Sequence, residues 1–316
     1  MAILHVYLFG GFRVTRELGS AEIPLSRAAQ ALLSYLVLNR HRRHPRDVLA
    51  ALFWGDSPEE RARACLATAL WRLRRALGPV DGTGESWIVV APSGEVAFNG
   101  GEACLVDATE LEGCVRAALS CPPHALTPAA ADALERALEL YAGELLEGMY
   151  QEWAQRERDR FRHLYHDGAW HLMRALAQRG QWERCAAWGE RMLRGDPLRE
   201  DVHRELMRAY AAAGCRALAV LQYRRCREVL RQELGVDPAP ETTALFRSLA
   251  GGPVPSPPAA AIPISIAGAN GDSREALLRL HDAWINFETA RGELARTIEL
   301  VEQLVPAAPA YDGAAR

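Results

Sequence analysis

Residues 58–77, PEERARACLATALWRLRRAL, constrain this chain more than any other stretch. Wound as an α-helix, they separate into two faces. Leu66, Leu70, Leu73 and Leu77 recur at i, i+4, i+7 and i+11 and form one apolar stripe. At about 100° per residue, Arg61, Ala64, Thr68, Trp71, Arg72 and Arg75 fall on the opposite side. That side carries guanidinium groups, a hydroxyl and an indole, and no acid. Glu59 and Glu60 stand in the first turn, where they suit the helix dipole. The leucine stripe demands a core to pack on. The arginine face either stays solvated or lies in a DNA major groove, where Arg reads guanine edges and pairs with phosphates.

The flanking segments favour the second reading. Leu4–Phe9 and Phe12–Thr15 are β-prone runs parted by Gly10-Gly11, and Glu22–Leu25 reads as a third strand. Ala28–Leu38 is an apolar helix. Pro45–Trp54 is another, opening on proline, a favoured first helical position, and stopping near Gly55. Trp87–Ala91 and Glu95–Phe98, joined by Pro92-Ser93-Gly94, read as a hairpin. Strands, three helices, then a hairpin is the order of a winged helix, whose third helix enters the major groove and whose hairpin is the wing. Arg40, Arg42, Arg43 and Arg46 crowd the joint between the first two helices, with His41 and His44 adding weak positive charge. Such a cluster suits phosphate contacts, which position a protein without specifying sequence. The chain has a net charge of −3, yet Pro24–Gly78 holds ten arginines against four acids, so the remainder is acidic. A basic module on an acidic body is a common layout for a protein that touches nucleic acid at one end.

From Val106 to about Ala250 the pattern is helix after helix, with an internal repeat. Leu172–Gly180 (LMRALAQRG) aligns with Leu206–Gly214 (LMRAYAAAG) at an offset of about 34 residues, the tetratricopeptide period. Ala186 and Ala219–Val220 supply small residues for close packing on the second helices, and the last of these, Ala217–Leu234, is the longer. Such repeats stack their apolar faces and leave a concave face for partners. Residues 251–272 begin GGPVPSPPAAA and read as a Pro/Ala/Gly linker. Residues 273–305 read as one amphipathic heptad helix: Leu277, Leu280, Trp284, Phe287, Leu294, Ile298, Val301 and Val305 keep a 3-4 spacing broken only by Arg291. It either docks on the repeats or forms a homodimer. Residues 306–316 are a tail.

Several chemistries are excluded. All 37 basic residues are arginine, which removes the P-loop lysine and Schiff-base catalysis. The 7 cysteines are scattered without a C-x-x-C pair, which argues for reduced thiols and a cytoplasmic protein. Neither a signal peptide nor a membrane-spanning run is present. His163, His166 and His171 lie near Asp167, but no fixed carboxylate or thiol completes a credible metal site. Trp153, Trp170, Trp182 and Trp188 read as core or repeat packing, with a ligand pocket as the alternative. Nucleophile, metalloprotease and dinucleotide motifs are missing, so the expectation is no enzyme, no cofactor and no metal.

Taken together, these segments resemble the Streptomyces antibiotic regulatory protein family, whose members join an OmpR-like winged helix to a bacterial transcriptional activation domain. The matching pieces run in the family's order. LHVYLFGGFRV at 4–14 resembles its opening strands, VLAALFWGD at 48–56 its second helix, and RARACLATALWRLRRALG at 61–78 its recognition helix. VDATELEGCV at 106–115 resembles the entry to its second domain, and LYAGELLEG at 140–148, with Trp153, resembles another of its recurring stretches. GDPLREDVHRELMRAYAAAG at 195–214, Tyr223 and VLRQELGVDPAPETTALF at 229–246 resemble its most diagnostic block. Gly55 replaces the usual proline after Trp54, and the wing lacks the common tyrosine, with Ala97 or Phe98 in its place.

The resemblance covers roughly residues 1–250 and implies a mainly α chain, with a winged helix of mixed α and β structure over 1–104 and an all-α tetratricopeptide-like domain over 105–250; the linker and C-terminal helix lie outside it. It implies major-groove contacts by Thr68, Trp71, Arg72 and Arg75, with Arg61 on the same face. It implies phosphate contacts near Arg42 and Arg46, with Arg43 between them. The partners implied are double-stranded DNA, bound as direct repeats by two copies head to tail, and RNA polymerase holoenzyme. The alternative is a tetratricopeptide adaptor whose basic module binds an acidic protein.

Overall fold

The leading strands form a sheet, but with a partner that lies far away in sequence. The computed structural model describes residues 3–17, 21–80 and 84–251. Strand β1 (Leu4–Tyr7) pairs antiparallel with β2 (Arg13–Thr15), with Val6 opposite Val14. The third strand is not Glu22–Leu25. That segment is extended and gives one bond, Ile23 N–H to Val14 C=O at 2.8 Å, before Pro24, which has no N–H to continue a ladder. Cys104–Val106 takes the place, running parallel to β1 with Leu4 opposite Cys104, and gives the order third strand, β1, β2.

Three helices follow β2 in the chain, with the third packed against the other two. They are α1 (Arg27–Leu38), α2 (Arg46–Trp54) and α3 (Glu59–Leu77). Pro45 and Pro58 stand one position earlier than the first helical residue, as extended N-caps. The leucine stripe of α3 goes where its period sends it: Leu66, Leu70, Leu73 and Leu77 are all buried, against a core that includes Leu32, Leu33, Leu36 and Leu49. Each such leucine contributes ~1.5–3 kcal/mol relative to exposure. The wing follows as β3 (Ile88–Val90) and β4 (Val96–Phe98). Its three-residue loop closes with Gly94 at φ +84°, the left-handed position such a loop requires. His44 and Val96 exchange both backbone bonds at 2.8 Å and so pin the wing to the α1–α2 joint.

Cys104–Val106, strand β5, then runs straight into α4 (Asp107–Leu119), which is followed by α5 (Pro128–Glu139) and α6 (Glu152–Gln178). Strand β5 spans the expected boundary at 104, so the sheet and the helical domain are joined without a linker. Helices α7 (Trp182–Gly195), α8 (Glu200–Ala212), α9 (Arg216–Leu234) and α10 (Pro240–Gly251) complete the description.

The repeat shows in the caps. Gly180 N–H bonds to Ala177 C=O and Gln181 N–H to Leu176 C=O; 34 residues on, Gly214 bonds to Ala211 and Cys215 to Tyr210. Both glycines are left-handed, and both ends are Schellman motifs. Close packing falls at Cys185, Ala219 and Gly189 more than at Ala186, which is only half-buried. A Cβ on Gly189 would lie 2.7 Å from Leu206 and 2.8 Å from Met173 Cε. Leu245, Phe246 and Leu249 of α10 cover Met207, Ala219 and Tyr223, with the Tyr223 and Phe246 rings stacked at 4.1 Å. The linker from 252, the heptad segment 273–305 and the tail lie outside the described residues. Among the described residues, no helix is long and apolar enough to cross a membrane.

One hydrophobic cluster runs through both the winged helix and the helical domain. Residues 8–10 thread between α4 and the loop at 144–147: Leu146 N–H bonds to Leu8 C=O at 2.7 Å, and Gly10 N–H to Glu144 C=O at 2.9 Å. Phe9 packs on Tyr141 at 4.8 Å and on Phe161 at 5.7 Å. Trp153 of α6 meets Tyr35 of α1 at 5.3 Å and Phe53 of α2 at 5.9 Å, both edge-on. The Asp107 carboxylate accepts from Leu8 N–H (2.8 Å) and Phe9 N–H (3.0 Å) across this joint, and from Ala108 N–H (2.6 Å). Burial pushes its pKa up to about 6, against the pull of those three donors.

Candidate nucleic-acid interface

The third helix carries five arginines, and the structure gives them two different tasks. Arg63 is tied to Asp47 of α2 at 2.9 Å and to Glu59 at 2.6 Å. Arg74 Nε donates to Ile88 C=O at 3.0 Å and so joins α3 to the wing. Arg16, just after β2, adds a third tie by donating to Leu77 C=O, a terminal carbonyl of α3, at 2.8 Å. These three cations hold the helix.

The other three arginines of α3 point outward. Arg61, Arg72 and Arg75 are exposed and make no ion pair among the described residues. Trp71 is 58% exposed, far beyond what an indole retains in a core, and the Arg75 guanidinium lies 5.3 Å from its ring centroid. Thr68 is exposed; its hydroxyl donates back to Ala64 C=O at 2.9 Å, leaving its lone pairs open to a donor. The structure therefore places Arg61, Thr68, Trp71, Arg72 and Arg75 on one exposed face of α3, opposite the leucine stripe.

The α1–α2 joint presents Arg42 and Arg43 exposed, with Arg46 half-buried at the start of α2. Arg42 donates to Asn39 Oδ1 at 2.8 Å, which fixes its direction. Arg43 lines a groove with Arg74 and the β3 strand, beside the wing. His44 differs from the sequence expectation. It is buried, its ring lies 3.4 Å from Asn39 C=O and packs on Tyr35, and burial together with the nearby Arg42 and His41 holds its pKa below the usual range. It supports the wing and does not add to the positive surface. The wing contributes no basic side chain between Trp87 and Phe98, and Ser93 and Glu95 bond to each other at its tip.

Sequence reasoning did not separate Arg63 and Arg74 from their neighbours and did not single out Arg16. The signal for Arg63 was in reach: Glu59 stands four residues before it, a spacing that favours an ion pair. The histidines of α6 hold no metal-like arrangement, and no group of three potential metal ligands occurs among the described residues. Trp153 and Trp188 are buried, and Trp188 Nε1 donates to Glu135 at 2.7 Å.

Fold and site together define a winged-helix protein whose third helix exposes an arginine face and whose body is a helical repeat. Comparison with known proteins agrees. Residues 106–250 match the bacterial transcriptional activator domain. The regulatory protein AfsR of Streptomyces coelicolor is 31% identical over 217 residues, which is 67% of this chain and 20% of AfsR. The transcriptional regulatory protein MoaR1 of Mycobacterium tuberculosis is 26% identical over 239 residues, 74% of this chain and 75% of MoaR1. The chain thus spans about a fifth of AfsR. Among solved structures, Mycobacterium tuberculosis EmbR in complex with a low-affinity phosphopeptide shares the fold, with a TM-score of 0.62 at 24% identity over 79% of this chain and 65% of that one. The family model and these two relatives support a place in the Streptomyces antibiotic regulatory protein family.

Proposed function

We propose that this chain is a sequence-specific DNA-binding activator of transcription. It binds direct repeats as two copies head to tail and brings RNA polymerase holoenzyme to the promoter through its helical domain. The observation that carries this reading is the division of labour on α3. Two of its arginines are tied to other elements of the fold, while Arg61, Arg72 and Arg75 make no ion pair among the described residues and surround an exposed tryptophan. Arg72 and Arg75 read guanine edges or pair with phosphates, Trp71 and Thr68 meet base edges, and Arg42, Arg43 and Arg46 hold the backbone.

The test is fluorescence anisotropy of the protein on its own upstream DNA and on a scrambled duplex, across a salt series. A preference of about a hundredfold or more at near-physiological salt supports the reading. Equal, weak and steeply salt-dependent binding to both would reduce the site to a basic patch. Absence of binding at low salt would favour an adaptor that takes an acidic protein partner.

A further inference from the structure

A second site lies away from the arginine face of α3. The α1–α2 joint, α4 and α6 enclose a cleft of 610 Å³, within the size range of small-molecule sites. Its lining is rich in donors. Arg40 and His41 come from the joint, Thr109 and Arg116 from α4, and Arg160 from α6. The two carboxylates present are already engaged. Glu112 pairs with Arg160 and Arg116, each at 2.7 Å, and Glu157 pairs with Arg160 at 2.7 Å. Burial works to raise the Glu112 pKa, and these guanidinium bonds outweigh it and hold the group below the usual carboxylate range. Arg40 is exposed and makes no ion pair among the described residues. Three guanidinium groups thus line the cleft against two carboxylates, and Arg40 is the one without an ion pair among the described residues.

Gly113 is the second observation. It sits in the middle of α4, where glycine is less favourable than alanine. The two other glycines in helix interiors among the described residues have a packing reason: a Cβ on Gly168 would lie 2.8 Å from Val115, and one on Gly189 2.7 Å from Leu206. A Cβ on Gly113 would meet nothing within 4 Å, and the residue lines the cleft. Its missing side chain serves no protein neighbour; it clears the cleft and opens the backbone of α4 to something else.

We propose that this cleft binds a phosphorylated small molecule of about nucleotide size, its phosphates taken by Arg40 and Arg116 and its approach to α4 allowed by Gly113. Guanidinium forks suit phosphate oxygens bidentately. The ligand would bridge the helical domain and the turn that carries Arg42 and Arg43.

The probes are ATP and inorganic pyrophosphate, titrated calorimetrically into the full chain without DNA, so the outcome is independent of the DNA-binding reading. Expected is saturable binding of ATP, weakened about tenfold or more by Arg40→Gln with Arg116→Gln and by Gly113→Leu, while Gly113→Ala retains it. Circular dichroism checks that Gly113→Leu folds, and the arginine pair provides an independent readout if it does not. The proposal is overturned if neither probe saturates at millimolar concentration. It is equally overturned if binding survives both sets of substitutions or is abolished instead by Arg42→Gln and Arg43→Gln, which would place the anion on the exposed turn.

Discussion

Asp107 offers the sharpest test of how the two modules are joined. Its carboxylate is the acceptor for Leu8 and Phe9 N–H across the joint and for Ala108 N–H on its own helix. Replacement by Asn keeps the shape but supplies one acceptor oxygen where there were two, and turns an N–H₂ toward backbone N–H donors. Leaving one buried donor unmet costs ~1–3 kcal/mol, so Asp107→Asn should lose about that much at pH 7.5.

The pH dependence separates this account from generic damage. In the folded protein Asp107 takes up its proton near 6, and in the unfolded chain near the ordinary value of 3.8. Between those values the folded state holds the extra proton, so the contribution of this group to stability falls as pH rises and grows on acidification. From pH 7.5 to 4.5 the wild type gains roughly 2 kcal/mol from it, since about 1.5 pH units lie below 6 at ~1.4 kcal/mol each. The Asn variant gains nothing. Glu112 and Asp201, held low by arginine bonds that outweigh their burial, lose stability on acidification, but they do so in both proteins and cancel in the difference. Urea unfolding followed by circular dichroism at several pH values measures the gap directly. It should widen on acidification; a gap that stays constant or narrows would refute the reasoning.

Other expectations concern the arginine face of α3 and the repeats. Arg72→Ala with Arg75→Ala should weaken DNA binding and reduce the slope of log K against log salt by about 1 for each phosphate no longer neutralised; an unchanged slope would remove those residues from the interface. Arg74→Ala should weaken binding through the wing tie while leaving the slope as it is, and a drop in slope equal to that of Arg72→Ala would mean that Arg74 contacts DNA itself. Gly189→Val forces a side chain against Leu206 and Met173 and should cost ~1–3 kcal/mol, read as a lowered unfolding midpoint; a neutral outcome would show that α7 and α8 have room to part.

Much of this fold was legible because it is written locally. A leucine every three or four residues needs no partner to be recognised, and the four leucines of α3 all went inward. The repeat caps were equally visible, since a glycine at the same place in two aligned segments marks the same left-handed turn. What remained hidden depends on distant chain. The pattern at Cys104–Val106 is three residues long and gives no hint that its partner is Leu4–Val6, while Glu22–Leu25 lies close to β2 and reads as the better candidate until Pro24 is considered. His44 looked like one more positive charge in a basic loop; only its pairing with Val96 and its packing on Tyr35 show it to be core. The heptad segment 273–305 falls outside the described residues.

The candidate site shows why a count of charges is a weak guide to which arginines are open to a ligand. The arginines of α3 are chemically identical and closely spaced, and their neighbours decide what each can do. Arg63 faces Asp47 on the adjoining helix, and Arg74 reaches a strand carbonyl, so neither retains its full bonding capacity for a ligand. Arg61, Arg72 and Arg75 project from the side opposite the leucines, where no acid among the described residues pairs with them. A phosphate or a guanine edge would meet guanidinium groups that need not break an ion pair to bind, while the tied arginines keep α3 fixed to α2 and to the wing. Orientation of the helix and freedom of its face are therefore supplied by different copies of the same residue type, and only the tertiary contacts distinguish them.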